Sequence, residues 1–281
     1  MFSSELTSIT FGLLSAIVWG AGDFSGGLAS KRTGVYAVII TSQLVGLFLL
    51  LGLALVFDKA QPLPGDLAWG AAAGAAGAVG LLALYRGLAS GRMGLIAPLS
   101  AVLAAALPVM VGAFTQGIPD LAQFIGFGFA LVGVWLLSRP ERALDFRLNE
   151  FILPVVAGVG FGLFFIFIDN ANERTVFWPI MAARVASVIL MTLTARANGQ
   201  PLWPERAHVP LIALAGVLDA GGNAFFTIAT QIGRLDVASV LSSLYPASTV
   251  ALAWMILKER LTRPQWLGVA AALIAIVLIA L

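Results

Sequence analysis

The chain has no cysteine and a single histidine among its 281 residues, and few of its side chains are charged. Without cysteine there is no disulfide, thiolate metal site or cysteine nucleophile. Charged residues make up 11% of the sequence, whereas a soluble domain carries about 25%. So few charges cannot cover a water-exposed surface, and the chain therefore contains no soluble domain of any size.

Enzyme motifs are missing as well. The sequence has no HExxH, Walker A or GxSxG pattern, and His208 is placed at a loop edge beside Pro210. We expect no cofactor and no metal, and without a nucleotide site the chain cannot be a primary pump on its own. The formal net charge of +2 is too small to indicate a nucleic-acid partner. The first ten residues contain Glu5 but no basic residue, so the first apolar segment is expected to be retained.

Long apolar runs, with 60% hydrophobic residues overall, are what the sequence does have. A helix needs roughly 20 apolar residues to cross a bilayer core. The pattern predicts an all-α integral membrane protein with ten transmembrane helices. Their predicted bounds are 8–28, 34–57, 66–89, 93–115, 120–138, 150–171, 176–196, 208–231, 235–257 and 264–281.

The two halves of the chain match each other at a constant offset of 142 residues. Examples are Gly91-Arg92 with Gly233-Arg234, and Leu99-Ser100 with Leu241-Ser242. Five helices per half is an odd number, so the halves must insert with opposite orientation. The sequence predicts two inverted five-helix repeats, residues 1–139 and 140–281, with the substrate path between them.

Lysine and arginine are distributed unevenly over the predicted loops. Twelve of the 16 lie in the loops after helices 1, 3, 5, 7 and 9, when Arg86 and Arg196 at the ends of their spans are counted with those loops, and three lie in the other loops. The remaining one, Arg184, is inside the seventh span. Because positive loops stay in the cytoplasm, this bias predicts that both termini face outward.

Asp219 lies near the middle of the eighth span, and Asn223 follows four residues later on the same helix face. An ionisable residue at that depth costs at least ~2.5 kcal/mol and is a functional candidate by default. Their counterparts in the first half are Gly77 and Leu81, so the pair breaks the repeat, as an asymmetric substrate would require. The alternative is an interhelical hydrogen bond or an ion pair with Arg184, which could instead extend toward the membrane interface.

Three further polar residues lie toward the ends of spans. Asp23 is late in the first span and is a candidate for substrate binding, with Phe165 as its counterpart. Asp169 and Asn170 end the sixth span. For all three, a solvated helix terminus is the alternative interpretation.

A second candidate cluster is Ser242, Ser243 and Tyr245, immediately before Pro246 in the ninth span. Proline removes a backbone hydrogen bond and kinks a helix, and the freed carbonyl must find a partner or face a cavity. Pro98 and Pro108 in the fourth span, and Pro246 in the ninth, are predicted to kink their helices. The kinks either shape a substrate cavity or serve packing alone.

Aromatic residues offer a lining for such a cavity. Trp19 and Phe161 are separated by the repeat offset and could face each other across the axis, and Tyr85 is a third candidate. Packing and lipid contact are the alternative roles. We expect the first, third, fourth, sixth, eighth and ninth spans to line the cavity, with the fifth and tenth peripheral.

Several motifs of the sequence resemble those of the EamA-type branch of the drug/metabolite transporter superfamily. They are Trp19-Gly20, the Gly-Arg pairs before spans 4 and 9, and Leu257-Lys258-Glu259-Arg260-Leu261-Thr262 followed by Gln265 and Gly268. The first half departs from that last signature at Thr115-Gln116-Gly117-Ile118-Pro119-Asp120. The resemblance implies a ten-helix fold with a central cavity and alternating access. Its members move amino acids, sugars, nucleotide sugars and drugs.

The sequence favours a secondary transporter that exports small organic metabolites, amino acids in particular, across a bacterial-type inner membrane. Only Arg184 lies within a span, which disfavours dianionic substrates, whereas acids, hydroxyls and aromatic rings suit a zwitterion or an amphipathic cation. The expected partners are that small molecule and membrane lipid, and the chain is expected to act as a monomer. The alternatives are a multidrug or organic-cation exporter of the same fold, and a membrane-embedded enzyme or scaffold.

Overall fold

A computed structural model describes residues 4–89, 93–137, 152–171, 174–257 and 262–279, and every regular element among them is helical. The helices α1 to α6 are Ser4–Ser30, Val35–Phe57, Pro64–Ala89, Met93–Thr115, Leu121–Leu137 and Ile152–Asn170. The helices α7 to α11 are Phe177–Ala197, Val209–Ile232, Leu235–Ser242, Tyr245–Leu257 and Arg263–Ile279. A short 3-10 turn, Arg206–His208, leads into α8.

Seven of the described helical segments are long and apolar enough to cross a membrane. Three shorter apolar segments accompany them: Leu99–Thr115, Leu121–Leu136 and Arg263–Ile279. The all-helical, multi-pass character expected from the sequence is confirmed, and helix bounds such as Val35–Phe57 fall within a residue of the predicted span.

The ninth predicted span is two helices, α9 and α10, whereas α4 is one continuous helix despite Pro108. At the break the backbone bonds tighten, with Leu244 N donating to Leu241 O at 3.1 Å and Ala247 N to Leu244 O at 2.9 Å. Pro246 has no N–H to continue the ladder, which accounts for the interruption. The predicted kink thus becomes a complete break in the ninth span, while the helix assignment is uninterrupted in the fourth.

The packing of the helices follows the sequence repeat. Where two helices share an extensive contact, their counterparts in the other half contact each other as well. Helix α1 packs on α8 as α3 packs on α6, and α3 packs on α7 as α2 packs on α8. Helix α4 packs on α6 as α9 and α10 pack on α1, while α2 pairs with α7 and α5 with α11.

Glycines allow the closest of these crossings. A Cβ at Gly74 of α3 would collide with the carbonyl oxygen of Ala183 in α7. A Cβ at Gly216 of α8 would collide in the same way with the carbonyl oxygen of Ser42 in α2. Gly74 and Gly216 are 142 residues apart, so one small-residue crossing occurs in both halves.

Polar loop contacts connect the two halves at the end of the bundle where α2 ends and α7 begins. The Asp58 carboxylate accepts hydrogen bonds from the backbone N–H groups of Val176, Phe177 and Trp178 at 3.1, 2.9 and 3.1 Å. These are N–H groups that the start of α7 cannot satisfy internally.

A second link lies between the α8–α9 and α4–α5 connections. Arg234 donates to the carbonyl oxygens of Gln116 and Gly117 at 3.1 and 2.7 Å, and it pairs with the buried Asp236 at 2.7 Å. The hydrogen bonds that Arg234 donates to the Asp236 carboxylate hold the pKa of Arg234 above its usual value, so this link stays charged.

Candidate functional site

A cavity with about 660 Å³ of empty volume lies inside the bundle. Its lining comes from α1, α2, α3, α6, α7, α8 and the first residue of α10. The expectation that spans 2 and 7 stay out of the lining is wrong, and among the residues described no lining residue comes from α4. Helix α4 lies behind α6, where a Cβ at Gly158 would be 2.5 Å from Leu103 Cβ. As expected, α5 and α11 contribute no lining residue among those described; they pack on each other.

Arg184 of α7 is the centre of the polar wall. It is 5% exposed, and its Nη1 donates to Asp219 Oδ2 and to Gln43 Oε1, each at 2.5 Å. Gln43 Nε2 donates in turn to Asp219 Oδ2 at 3.1 Å. Three helices, α2, α7 and α8, are therefore joined by one ion pair and a bridging amide, so Arg184 does not extend to the membrane interface.

Asn223 completes the polar face of α8. Its Nδ2 donates to the carbonyl oxygen of Asp219 at 2.6 Å and lies 3.4 Å from Asp219 Oδ1. These bonds follow the four-residue spacing seen in the sequence, which places both side chains on one helix face. Both line the cavity, so the ion pair and the cavity position expected as alternatives occur together.

Asp23 of α1 also lines the cavity, on the same side as Asp219. Helix α1 continues to Ser30, so the interpretation of Asp23 as a solvated helix terminus is wrong. Within the described residues, no side chain pairs with or hydrogen-bonds the Asp23 carboxylate. With Asp219 and Arg184 cancelling, the three charged lining residues carry a formal net charge of −1 when all are ionised.

Several lining donors are buried without a partner in the described part of the chain. They are the Tyr245 hydroxyl, the Ser187 hydroxyl, and Nε and Nη2 of Arg184. Buried polar atoms are usually hydrogen-bonded, to protein or to another molecule. These four atoms are groups that water or a polar ligand in the cavity can satisfy.

Aromatic rings form much of the apolar lining. Trp19 stacks on Phe165 at 5.5 Å between centroids, and Phe165 stacks on the fully buried Phe226 at 4.5 Å. Phe164 meets Trp19 edge to face at 6.5 Å, and Phe161 also lines the cavity. Rings held by such contacts form a preorganised apolar surface.

Several lining residues are separated by the 142-residue offset, but in most of these pairs the two residues differ in polarity. On α1 and α8 the lining is largely polar, and at the matching positions of α6 and α3 it is apolar. The matched lining pairs are Trp19 and Phe161, Asp23 and Phe165, Asp219 and Gly77, and Asn223 and Leu81. The polar lining residues of α1 and α8 thus have apolar counterparts on α6 and α3.

Six of the nine residues predicted from the sequence to bind substrate line this cavity: Asp219, Asn223, Tyr245, Trp19, Phe161 and Asp23. The other three lie outside its lining. Tyr85 is buried against α1, where a Cβ at Gly26 would collide with its hydroxyl, and Ser242 donates to Gly12 O at 3.3 Å. Ser243 is buried at the break between α9 and α10.

Gln43 and Ser187 are lining residues that the sequence reasoning missed. The available signal was a polar side chain in the interior of an apolar span, the same signal that selected Asp219. It was overlooked because the second and seventh spans were placed away from the cavity.

Comparisons with known proteins identify relatives of both halves. The model of the EamA-like transporter family matches residues 6–139 and again residues 149–281. An uncharacterised protein of Methanocaldococcus jannaschii is 25% identical over 130 residues, which are 46% of this chain and 95% of that protein. A crystal structure superposes with a TM-score of 0.79 at 16% identity, covering 100% of this chain and 99% of the other, and so shares its fold.

Proposed function

Because the chain belongs to the EamA-like transporter family of membrane transporters, we propose that it exports small organic metabolites, amino acids in particular, through the central cavity by alternating access. The transported molecule binds between the polar lining residues, Asp23, Arg184 and Asp219 among them, and the aromatic lining residues Trp19, Phe161, Phe164 and Phe165. As a secondary transporter it performs no covalent chemistry on its substrate.

The observation that carries this proposal is the set of unsatisfied polar groups of both kinds around one cavity. Asp23 offers an acceptor, while Tyr245, Ser187 and Arg184 offer donors without partners in the described residues. An α-amino acid presents an ammonium donor and a carboxylate acceptor, and thus matches both.

We further propose ten membrane spans in two inverted repeats, residues 1–139 and 140–281. The family model matches twice, and the Methanocaldococcus protein aligns along almost its whole length to about half of this chain. The exchanged helix pairs and the matched lining positions support the same arrangement. Inverted repeats place a substrate site near the bilayer midplane, at the repeat interface.

A bacterial-type inner membrane, with both termini of the chain outside, is the proposed location. The support is the 12-to-3 distribution of basic residues between alternate loops. Membrane lipid is then the partner of the exposed apolar residues, which include Phe48, Leu55, Phe114 and Leu267. We propose that one copy of the chain contains a complete transport site.

An organic-cation exporter is the second candidate, and a specific observation favours it. The net charge of the lining is −1, and aromatic faces such as Trp19 and Phe161 attract cations. The two candidates differ in whether the ligand needs a carboxylate. Tetraphenylphosphonium is a cation without a carboxylate. Its transport would therefore distinguish an organic-cation exporter from an amino-acid exporter.

Purified protein in proteoliposomes provides the test. A thermal-shift screen of the proteinogenic amino acids first selects ligands, because a ligand of the folded state raises the melting temperature. Radiolabelled uptake of the selected amino acids, with tetraphenylphosphonium in parallel, then measures transport. Saturable uptake of an amino acid above that of protein-free vesicles supports the proposal, and uptake of none of them overturns it.

A matched pair of substitutions ties transport to the cavity. Leu81→Trp fills the cavity from α3, whereas Leu267→Trp places the same ring on the exposed face of α11, where Leu267 is 64% exposed. Transport should be lost in the first variant and retained in the second, with unchanged helix content by circular dichroism. Equal transport by both variants would move the substrate path elsewhere.

A further inference from the structure

The two carboxylates of the cavity differ in how they are held. Asp219 accepts from Arg184 at 2.5 Å, from Gln43 at 3.1 Å, and lies next to Asn223. Oδ2 of Asp219 thus accepts two hydrogen bonds, which fix the orientation of the carboxylate. Asp219 is thus already neutralised by a protein cation before any ligand enters.

Asp23 has no such partner among the described residues, although it lines the same cavity. Arg184 is engaged through Nη1 with Gln43 and Asp219, so it does not compensate Asp23. A carboxylate in an apolar, water-poor site is costly unless a cation accompanies it. Such a carboxyl group either takes up a proton or is accompanied by a cation, and a bound ligand can supply that cation.

The position of Asp23 is also well fixed. At Gly22 helix α1 packs directly on α8, because a Cβ there would lie in van der Waals contact with Asp219 N at 3.4 Å. One turn later, a Cβ at Gly26 would collide with the Tyr85 hydroxyl. Asp23 stands between these two close contacts on a rigid helix, which suits a group that must meet a ligand in a defined geometry.

A second unpartnered group lies in the same lining. Tyr245 is 5% exposed, and its hydroxyl has no hydrogen-bond partner within the described residues. The start of α10 that carries it is held on α1, because a Cβ at Gly20 would collide with Tyr245 O. Tyr245 and Asp23 therefore come from two helix segments that contact each other, and both present an unsatisfied oxygen at the cavity.

We propose that Asp23, and not Asp219, binds the ammonium group of the substrate, with Asp219 acting as a positioning residue that holds Arg184. This inference rests on the proposed transport function and specifies the chemical group recognised: an organic ammonium on a molecule with an apolar body that packs on the aromatic wall. A neutral or anionic analogue of the same size lacks the cation that Asp23 requires.

Binding of four related probes tests the recognised group directly. They are L-leucine, L-leucine methyl ester, 3-methylbutylamine and N-acetyl-L-leucine, with the matching L-phenylalanine series alongside. The first three carry an ammonium group and should bind to the purified parent protein, measured by thermal shift and calorimetry. N-acetylation removes the charge and should weaken binding at least about tenfold, as expected for loss of a charge-assisted bond.

Substitutions then assign the effect to one carboxylate. Asp23→Asn should weaken the binding of the ammonium probes at least about tenfold, so that they bind no better than the acetylated analogue. Asp23→Glu should restore part of the preference for ammonium over acetylated probes. Asp169→Asn, at the end of α6 outside the cavity lining, is the matched control and should bind like the parent. A merely structural role for Asp23 would weaken all four probes equally.

The outcomes separate this inference from the function on which it rests. If proteoliposomes transport amino acids but Asp23→Asn keeps the preference for ammonium over acetylated probes, Asp23 is not the ammonium site and the transport proposal stands. If no ammonium probe binds to the parent, the inference fails. If no amino acid is transported either, the transport proposal fails with it.

Discussion

Arg184 of α7 donates from Nη1 to Oδ2 of Asp219 in α8 at 2.5 Å, and the arginine is 5% exposed. The pair joins adjacent helices of the C-terminal half, while Gln43 connects it to the N-terminal half. An ion pair in this position contributes to the fold and forms part of the cavity wall at the same time.

Breaking that pair should destabilise the protein. Asp219→Asn leaves a buried guanidinium without its counter-ion, and we expect a loss of about 1–3 kcal/mol, less than for a fully buried pair because the Asp219 side chain is 25% exposed. Arg184→Gln should cost a similar amount. The double variant should lose less than the sum of the two, measured by the melting temperature of the ligand-free protein. Strict additivity would contradict the coupling.

Substitution of Asp23, unlike that of Asp219, should not lower the stability of the protein. Its carboxylate has no partner within the described residues, so Asp23→Asn removes a desolvated charge and no bond between protein groups. The ligand-free variant should melt at or above the parent temperature. A clear drop in its melting temperature, comparable with that of Asp219→Asn, would show that Asp23 stabilises the fold through a contact of its own.

The small-residue crossings provide a test of packing. Gly74→Ala places a methyl group where α3 meets the Ala183 carbonyl in α7, and we expect a loss of about 1–3 kcal/mol from overpacking. Gly128→Ala is the matched control, because a Cβ at Gly128 of α5 has no neighbour within 4 Å. That variant should unfold at the parent temperature or slightly above, since alanine favours helix. Equal melting temperatures for the two variants would refute the close crossing.

The helices could be predicted from the sequence because membrane spans are specified by length and hydropathy, which are local properties. Val35–Phe57 was recovered in this way. Asp219 and Asn223 could be placed on a common face because four residues make about one helical turn. The counterparts Gly77 and Leu81 also line the cavity, so the repeat offset carried three-dimensional information as well.

The placement of α2 and α7 could not be derived in that way. Which side of an apolar helix faces a cavity depends on its neighbours, and α2 and α7 carry an apolar majority on every face around Gln43 and Arg184. Proline was ambiguous for the same reason. Pro246 follows a complete break, whereas Pro108 lies within the continuous α4, and the difference arises from packing partners that are distant in the sequence.

The cap of α7 provides a test of the link between the halves. Asp58→Ala removes the acceptor for three backbone N–H groups at the start of α7, and we expect a loss of about 0.5–2 kcal/mol in stability. Asp58→Asn keeps one oxygen acceptor and should lose less. The control is Lys59→Ala, at the exposed neighbouring residue, which should melt like the parent. Melting temperatures in the same detergent check the order of the three variants.

The orientation of the bundle can be tested because the chain has no cysteine of its own. Gln61 lies in the connection between α2 and α3, and Gln200 in the connection after α7; both are exposed. If the basic loops are cytoplasmic, position 61 faces outward and position 200 inward. Neither substitution to cysteine changes the charge balance from which the orientation is derived.

In intact cells, an impermeant thiol reagent should therefore label Gln61→Cys and leave Gln200→Cys unlabelled, and both should react after permeabilisation. The cysteine-free parent gives the background. Labelling of position 200 but not of position 61 in intact cells would reverse the proposed orientation.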